Sequence, residues 1–288
     1  MKTLFLGTAA FAVPSLRVVA ARTRLVRVVT RPDRPAGRGQ RLTPSPVKRA
    51  ALELGLRVDE PRALRAYAAE LQDEGVDLAV LAAYGRILPQ ELLDLPRLGA
   101  LNVHPSLLPK YRGATPIQAA LRSGDSETGV SIMLMDAGLD TGNVVLAERV
   151  AIEPDETYGE LHDRLATIGA DALARAIDLA DRDALVPTRQ HGEPSLTRPL
   201  DRGDLAVDLA WPPQRVVNHV RAYSPLPAAR ASIDVETVKI LRAHVAPDGR
   251  LVIDELIAPN RGRITYPRSF PVERRRCHRW SAVTKVVS

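Results

Sequence analysis

The chain has 288 residues, 45% of them hydrophobic, a formal net charge of +6 and a single cysteine. That length suits two domains, because single hydrophobic cores stop growing near ~250–300 residues. One cysteine excludes an intramolecular disulfide and suits a reducing, cytoplasmic setting; no apolar run reaches the ~18 residues of a membrane span; and no Cys/His cluster has metal-ligand spacing, so neither a membrane nor a metal is expected.

The basic excess is unevenly placed. Residues 1–200 hold 25 Lys and Arg against 25 Asp and Glu, whereas residues 201–288 hold 15 against 9. Within the balanced part, residues 17–49 carry ten basic side chains and one acid, Asp33. Two basic regions around a neutral core suit a polyanionic partner, and equally a solvated arginine-rich surface.

In chain order, residues 2–6 form an apolar strand, with a turn at Gly7 and Thr8 into a helix from about Phe11. Gly7 and Pro14 interrupt the apolar start, which therefore reads as strand, loop and helix rather than as a signal peptide. The turn lacks the spaced glycines of a dinucleotide site. Residues 24–30 form the second strand. Residues 31–46 (RPDRPAGRGQRLTPSP) read as a long loop, rich in proline and without periodicity, whose arginines with Lys48 suit phosphates. Helices are expected over 47–54 and 61–74, and an apolar strand over 77–82 that runs into the loop at Tyr84, Gly85, Arg86, Ile87 and Leu88. A short strand over 98–103 ends at Pro105. Further on come a helix over 114–122, strands over 129–135 and 144–150, and a long amphipathic helix over 157–179. Met133 and Met135 alternate on one face and read as core. This alternation predicts an α/β fold with a doubly wound, largely parallel sheet. Residues 185–210 read as a linker, and 211–223 as a helix entered through a proline pair. Beyond residue 230, β-like runs appear at 231–235, 237–243 and 250–257, with a turn at Asp248 and Gly249.

Along the strand ending at Pro105, side chains alternate faces, so Asn102 and His104 project to the same side, at the sheet end where open α/β folds place their chemistry. Position alone also suits a satisfied polar pair at a strand end. Asp140, in a turn between Gly138 and Gly142, is a candidate carboxylate partner. Together the three suit acyl transfer to an amine: amide and imidazole donors for an oxyanion, and a carboxylate to raise the histidine's pKa and accept the amine's proton. There is no GxSxG nucleophile, and the lone Cys277 lies near the end of the sequence. Direct attack by a substrate amine is the economical mechanism.

The run HPSLLPKYRG two residues after Asn102, then GATPIQAAL and ETGVSIMLMDAGLDTGNVV, resembles the formyltransferase family that uses 10-formyltetrahydrofolate, along residues 2–230. The resemblance implies that Asn102, His104 and Asp140 are the catalytic trio. It implies that Ser106, Leu107, Leu108 and Pro109, with Tyr84, Gly85, Ile87 and Leu88, hold the folate co-substrate. PDRPAGRG followed by PSPVK is similar to the insertion of the branch that formylates the methionine of initiator tRNA. By that likeness Arg34, Arg38, Arg41 and Lys48 contact tRNA. RAYSPLPA resembles the ending of that branch's bridging helix, and the branch implies a small C-terminal β-barrel of the oligonucleotide-binding type, shortened in this chain. The expected division is a catalytic domain over 1–184, a linker over 185–210 and a C-terminal domain over 211–288. The expected activity is formyl transfer to methionyl-initiator-tRNA. Two alternatives are formyl transfer to a sugar amine or other small amine, and a tRNA-binding relative with reduced activity.

Overall fold

The structure, a computed structural model, describes residues 1–36, 41–233 and 236–270. Two compact units are present. Met1–Ala114, Gly129–Val150 and Asp163–Thr197 form the first; Thr115–Thr128, Ala151–His162 and the chain from Arg198 onward form the second.

The first unit opens with β1 (Lys2–Gly7), α1 (Ala12–Arg22) and β2 (Arg24–Val29). The stretch expected as plain loop holds instead a two-stranded antiparallel ribbon, β3 (Arg34–Ala36) and β4 (Arg41–Thr43), pairing Arg34 with Thr43 and Pro35 with Leu42. Strands of three residues, the first of them containing Pro35, carry no readable alternation. α2 (Pro46–Glu53) follows at once. Its N-cap Ser45 accepts a hydrogen bond from the Lys48 amide, and Pro46 fills the first turn, where no amide partner is needed. β5 (Val58–Asp59) leads to α3 (Leu64–Glu70). That helix starts later than expected, because the carbonyls of Pro61 and Arg62 are held by the Arg86 guanidinium. It gives way to a 3₁₀ turn at Gln72–Glu74, closed by Gly75 at φ +63°. β6 (Leu78–Ala82), α4 (Gln90–Leu93), β7 (Ala100–His104) and β8 (Arg112–Gly113) complete this half.

Next in sequence come α5 (Pro116–Ser123), β9 (Glu127–Leu134), β10 (Val144–Ala151), α6 (Tyr158–Asp181) and β11 (Leu196–Thr197). The main sheet has seven strands in the order β10-β9-β7-β6-β1-β2-β5. β5, β2, β1, β6 and β7 are mutually parallel, and β9 runs antiparallel to β7. β6 is buried at every residue, and β1 at all but its first, which is why both read as continuous apolar runs rather than alternating ones: both sheet faces are covered. Strand order reverses between β1 and β6, so the loops leaving the C-terminal ends of β1, β6 and β7 share the edge where ligands bind in such sheets. They touch: Thr8 Oγ1 donates to the Tyr84 carbonyl at 3.0 Å, across the β1 and β6 loops. Met133 lies in the core and Met135 packs against it, as the alternation predicts.

In the second unit, α7 (Pro213–Tyr223) packs on α5 and on a four-stranded antiparallel meander: β12 (Ala229–Ile233), β13 (Glu236–Val245), β14 (Leu251–Ala258) and β15 (Gly262–Phe270). The turn at Asp248 and Gly249 joins β13 to β14 as expected, with Gly249 at φ +83°. β15 lies beyond the β-like runs expected from the sequence, its apolar alternation interrupted by Pro267 and Arg268. The RAYSPLPA stretch is an anchor: Arg221 donates to the carbonyls of Glu153 and Pro154, and the buried Tyr223 hydroxyl accepts from Arg122.

Candidate active site

β7 carries two polar residues on one face of a strand that is buried at every position except the half-buried Asn102. Asn102 and His104 pair in register with Met133 and Ser131 of β9. The ladder fixes their backbones, and the two-residue period sends both side chains to one face. Pro105 then turns the chain into a tight loop. The Ser106 hydroxyl donates to the Lys110 carbonyl at 2.6 Å, while buried Ser131 donates to the Ser106 carbonyl and accepts from the Leu108 amide.

The structure brings Asn102, His104 and Asp140 together. Asp140 Oδ2 accepts from the Gly113 amide at 2.8 Å and lies 3.6 Å from His104 Nδ1; its Oδ1 faces Asn102 Nδ2 at 3.4 Å. Its position depends on an unusual turn. Asp136 Oδ1 accepts from the Gly138 amide and from the Thr141 hydroxyl, and Asp140 sits in the left-handed region at φ +51°. At Gly142 a Cβ would lie 1.9 Å from the Leu134 carbonyl oxygen, so only glycine lets the turn return to β9 this closely. Tyr111, whose carbonyl meets the histidine, is likewise left-handed at φ +59°. Two non-glycine residues in a costly conformation at one site mark a geometry that the surrounding structure enforces.

His104 is 4% exposed. Burial holds its pKa below the ordinary imidazole value, while the Asp140 carboxylate and the Tyr111 carbonyl pull the other way. Nε2 lies 3.0 Å from the Tyr111 carbonyl oxygen, which can only accept, so Nε2 carries the proton. In the neutral ring Nδ1 then turns its lone pair toward Asp140, and their 3.6 Å separation is that of an open ion-pair contact rather than a hydrogen bond. A proton arriving there would be held between imidazole and carboxylate. The site thus combines an amide donor with a proton-accepting pair, the set that acyl transfer to an amine requires.

The segment expected as a linker contributes to this site. Gln190 Nε2 donates to the carbonyls of Asp140 and Gly142, and its Oε1 accepts from the Arg112 guanidinium. Ser195 Oγ accepts from the Tyr111 amide at 2.8 Å, and β11 pairs with β8. A proline- and glycine-containing stretch gives no periodic signal for such contacts.

Of the residues expected around the folate, Gly85 and Ile87 are exposed and Leu107 and Leu108 half-buried, whereas Tyr84, Leu88, Ser106 and Pro109 are buried. Ser106 therefore shapes the loop from within, its hydroxyl already engaged. On the ribbon, Arg34 is exposed, Arg41 lies on β4, and Arg38 falls outside the described residues. The Lys48 ammonium sits 2.8 Å from Asp33 and 2.7 Å from Glu60, which raise its pKa, so it ties down the ribbon's base. Among the described residues no cluster of His, Cys, Asp or Glu is placed to hold a metal ion, and no helix is long and apolar enough to cross a membrane.

Comparison with known proteins assigns this geometry a class. The formyl transferase pattern matches residues 1–177 and the formyl transferase C-terminal domain pattern matches residues 199–264. The chain belongs to the formyl transferase family. Among curated relatives it is similar to the methionyl-tRNA formyltransferase of Chromobacterium violaceum, at 46% identity over 86% of this chain and 81% of that protein, and to that of Neisseria meningitidis, at 47% over 85% and 82%. Solved structures agree on the fold. An N-formyltransferase from Helicobacter canadensis, bound to folinic acid and dTDP-3-aminofucose, superposes with a TM-score of 0.69 at 18% identity, covering 94% of this chain and all of that one. The methionyl-tRNA formyltransferase of Clostridium thermocellum gives 0.60 at 13%, covering 90% and 98%.

Proposed function

We propose that this protein transfers the formyl group of 10-formyltetrahydrofolate to the amino group of methionine on initiator tRNA. The observation that carries this reading is the 46–47% identity with methionyl-tRNA formyltransferases over more than four-fifths of their length. The geometry supplies a mechanism. An N–H of the Asn102 amide donates to the formyl oxygen as the attacking amine turns it into an oxyanion. The proton lost by the amine passes to the His104–Asp140 pair. The same pair returns a proton to the departing folate nitrogen as its bond to the formyl carbon breaks, so protons balance over one turnover. His104 Nε2 stays on the Tyr111 carbonyl throughout, which keeps the ring aimed. The exposed Gly85 and Ile87 and the half-buried Leu107 and Leu108 offer surface that the folate would cover. Arg34 on β3 and Arg41 on β4, with Arg38 of the same basic segment of the sequence, would provide guanidinium donors for phosphates of the acceptor end. In this reading residues 1–184 form the catalytic part, 211–288 a part that adds tRNA affinity, and 185–210 the connection whose first half also braces the site.

The test is turnover with alternative acceptors. Given 10-formyltetrahydrofolate, the protein should form formylmethionyl-tRNA over many cycles and leave a nucleotide-linked amino sugar unmodified. Preferential formylation of the sugar would assign it to the other branch; tRNA binding without turnover would make it a relict.

A further inference from the structure

We infer that Gln190 is a positioning residue for the reaction, the keystone of a strap that holds the Asp140 turn against the His104 loop. The inference rests on the function proposed above. The strap runs from Thr188 to Thr197. At one end Thr188 and Val144 exchange backbone hydrogen bonds at 2.8 Å, anchoring the strap beside the Asp140 turn. At the other, the Ser195 hydroxyl and carbonyl hold the amides of Tyr111 and Arg112, and the Thr197 hydroxyl donates to the Arg112 carbonyl. Gly113 lets the strap lie this close: a Cβ there would sit 2.2 Å from the Thr197 carbonyl oxygen.

Between these ends one side chain touches both halves of the site. The Gln190 Nε2 donates to the Asp140 carbonyl at 2.9 Å and to the Gly142 carbonyl at 2.7 Å. Its Oε1 accepts from Arg112 Nε at 3.1 Å and Nη2 at 2.7 Å. An amide is the side chain that can do both, because one end must donate to two carbonyls and the other must accept from a guanidinium. The backbone it grips at Asp140 is in the left-handed conformation, and the residue it grips on the far side follows Tyr111, whose carbonyl orients His104. Gln190 touches no reacting atom. It sets the distance between the Asp140 carboxylate and His104.

Two near-isosteric variants separate this role from simple structural support. Gln190→Glu keeps the acceptor for Arg112 and loses both donated hydrogen bonds; Gln190→Met loses all of them and keeps the volume. Both should retain near-parental melting temperatures and KM values for folate and tRNA within about threefold, while kcat falls about ten- to hundredfold, the loss expected when a reacting group shifts by about 1 Å. Gln190→Glu within twofold of the parent would overturn the inference, as would a rate loss in both variants that tracks their melting temperatures. A second readout does not depend on activity. Among the described residues the charge acting on the His104 ring is that of Asp140, and it raises the histidine's pKa. In Gln190→Met the carboxylate recedes, so the NMR titration of His104 should move to lower pH; an unchanged titration would overturn the inference. If the parent forms no formylated tRNA the proposed function fails, and this titration still decides the role of Gln190.

Discussion

Two histidines are buried among the described residues, and of the two one is placed to do chemistry. His104, at the end of β7, and His219, on α7, are 4% and 6% exposed, and burial is the leading cause of a lowered pKa in both. Their neighbours differ. His104 meets a carbonyl on one side and a carboxylate on the other. His219 lies edge-on between Trp211 and Tyr223, with ring centroids 5.4 and 4.9 Å away, and the charges of Arg122 and Arg215 help hold its pKa down to about 4. Its Nε2 has no hydrogen-bond partner. Burial makes a histidine neutral. A facing carboxylate makes it able to take up a proton and hand it on.

The largest effect should come from breaking the pair at its functional member. His104→Ala should lower kcat about 10²–10³-fold, because its contribution strengthens as charge develops in the transition state. Folate affinity should stay within a few-fold, checked by equilibrium titration of the variant. Asp140→Asn, which keeps the shape and removes the charge, should come next at about a hundredfold, with the melting temperature little changed. If it loses nothing, the distinction drawn between the two histidines is wrong.

His219 makes the opposite prediction. Its folded pKa lies below the unfolded value, so the unfolded chain binds the extra proton between pH 6.5 and about 4. Stability from this group is therefore complete above pH 6.5 and lost as pH falls to about 4, a difference of roughly 2–3 kcal/mol. His219→Phe should cost about 1 kcal/mol at neutral pH, by loss of the hydrogen bond to the Asp204 backbone, yet resist acid better than the parent. Denaturant midpoints at pH 7 and pH 4.5 would show the crossover, and formyl transfer should be unaffected.

The smallest effect belongs to a region without burial. Arg34→Ala on the exposed ribbon should raise the KM for charged tRNA a few-fold while sparing folate binding and stability. The difference from the parent should shrink as salt rises, because screened phosphate contacts contribute less. Steady-state kinetics at two salt concentrations would show it.

What could be read beforehand follows the range of the forces involved. The parallel sheet announced itself through apolar runs, since β1 and β6 must bury both faces. Asn102 and His104 were legible as a pair because strand periodicity is a local rule. Asp140 was legible as a glycine-flanked carboxylate and, through resemblance, as their partner, but nothing local places it 3.6 Å from an imidazole 36 positions earlier in the chain. Gln190 was invisible: one side chain bridging Arg112 to two carbonyls in an irregular segment leaves no periodic trace. The ion pairs of Lys48 were hidden for a related reason, because its carboxylate partners Asp33 and Glu60 come from segments on either side of it that meet only in the fold.

The central claim is that His104 and Asp140 act as one proton-handling pair. The direct test is the single-turnover rate of formyl transfer in His104→Ala, Asp140→Asn and the double variant. Groups that act as a unit are strongly non-additive, so the double variant should be about as slow as the slower single one. A double variant whose loss equals the product of the two single losses would show the residues working independently and would contradict the account.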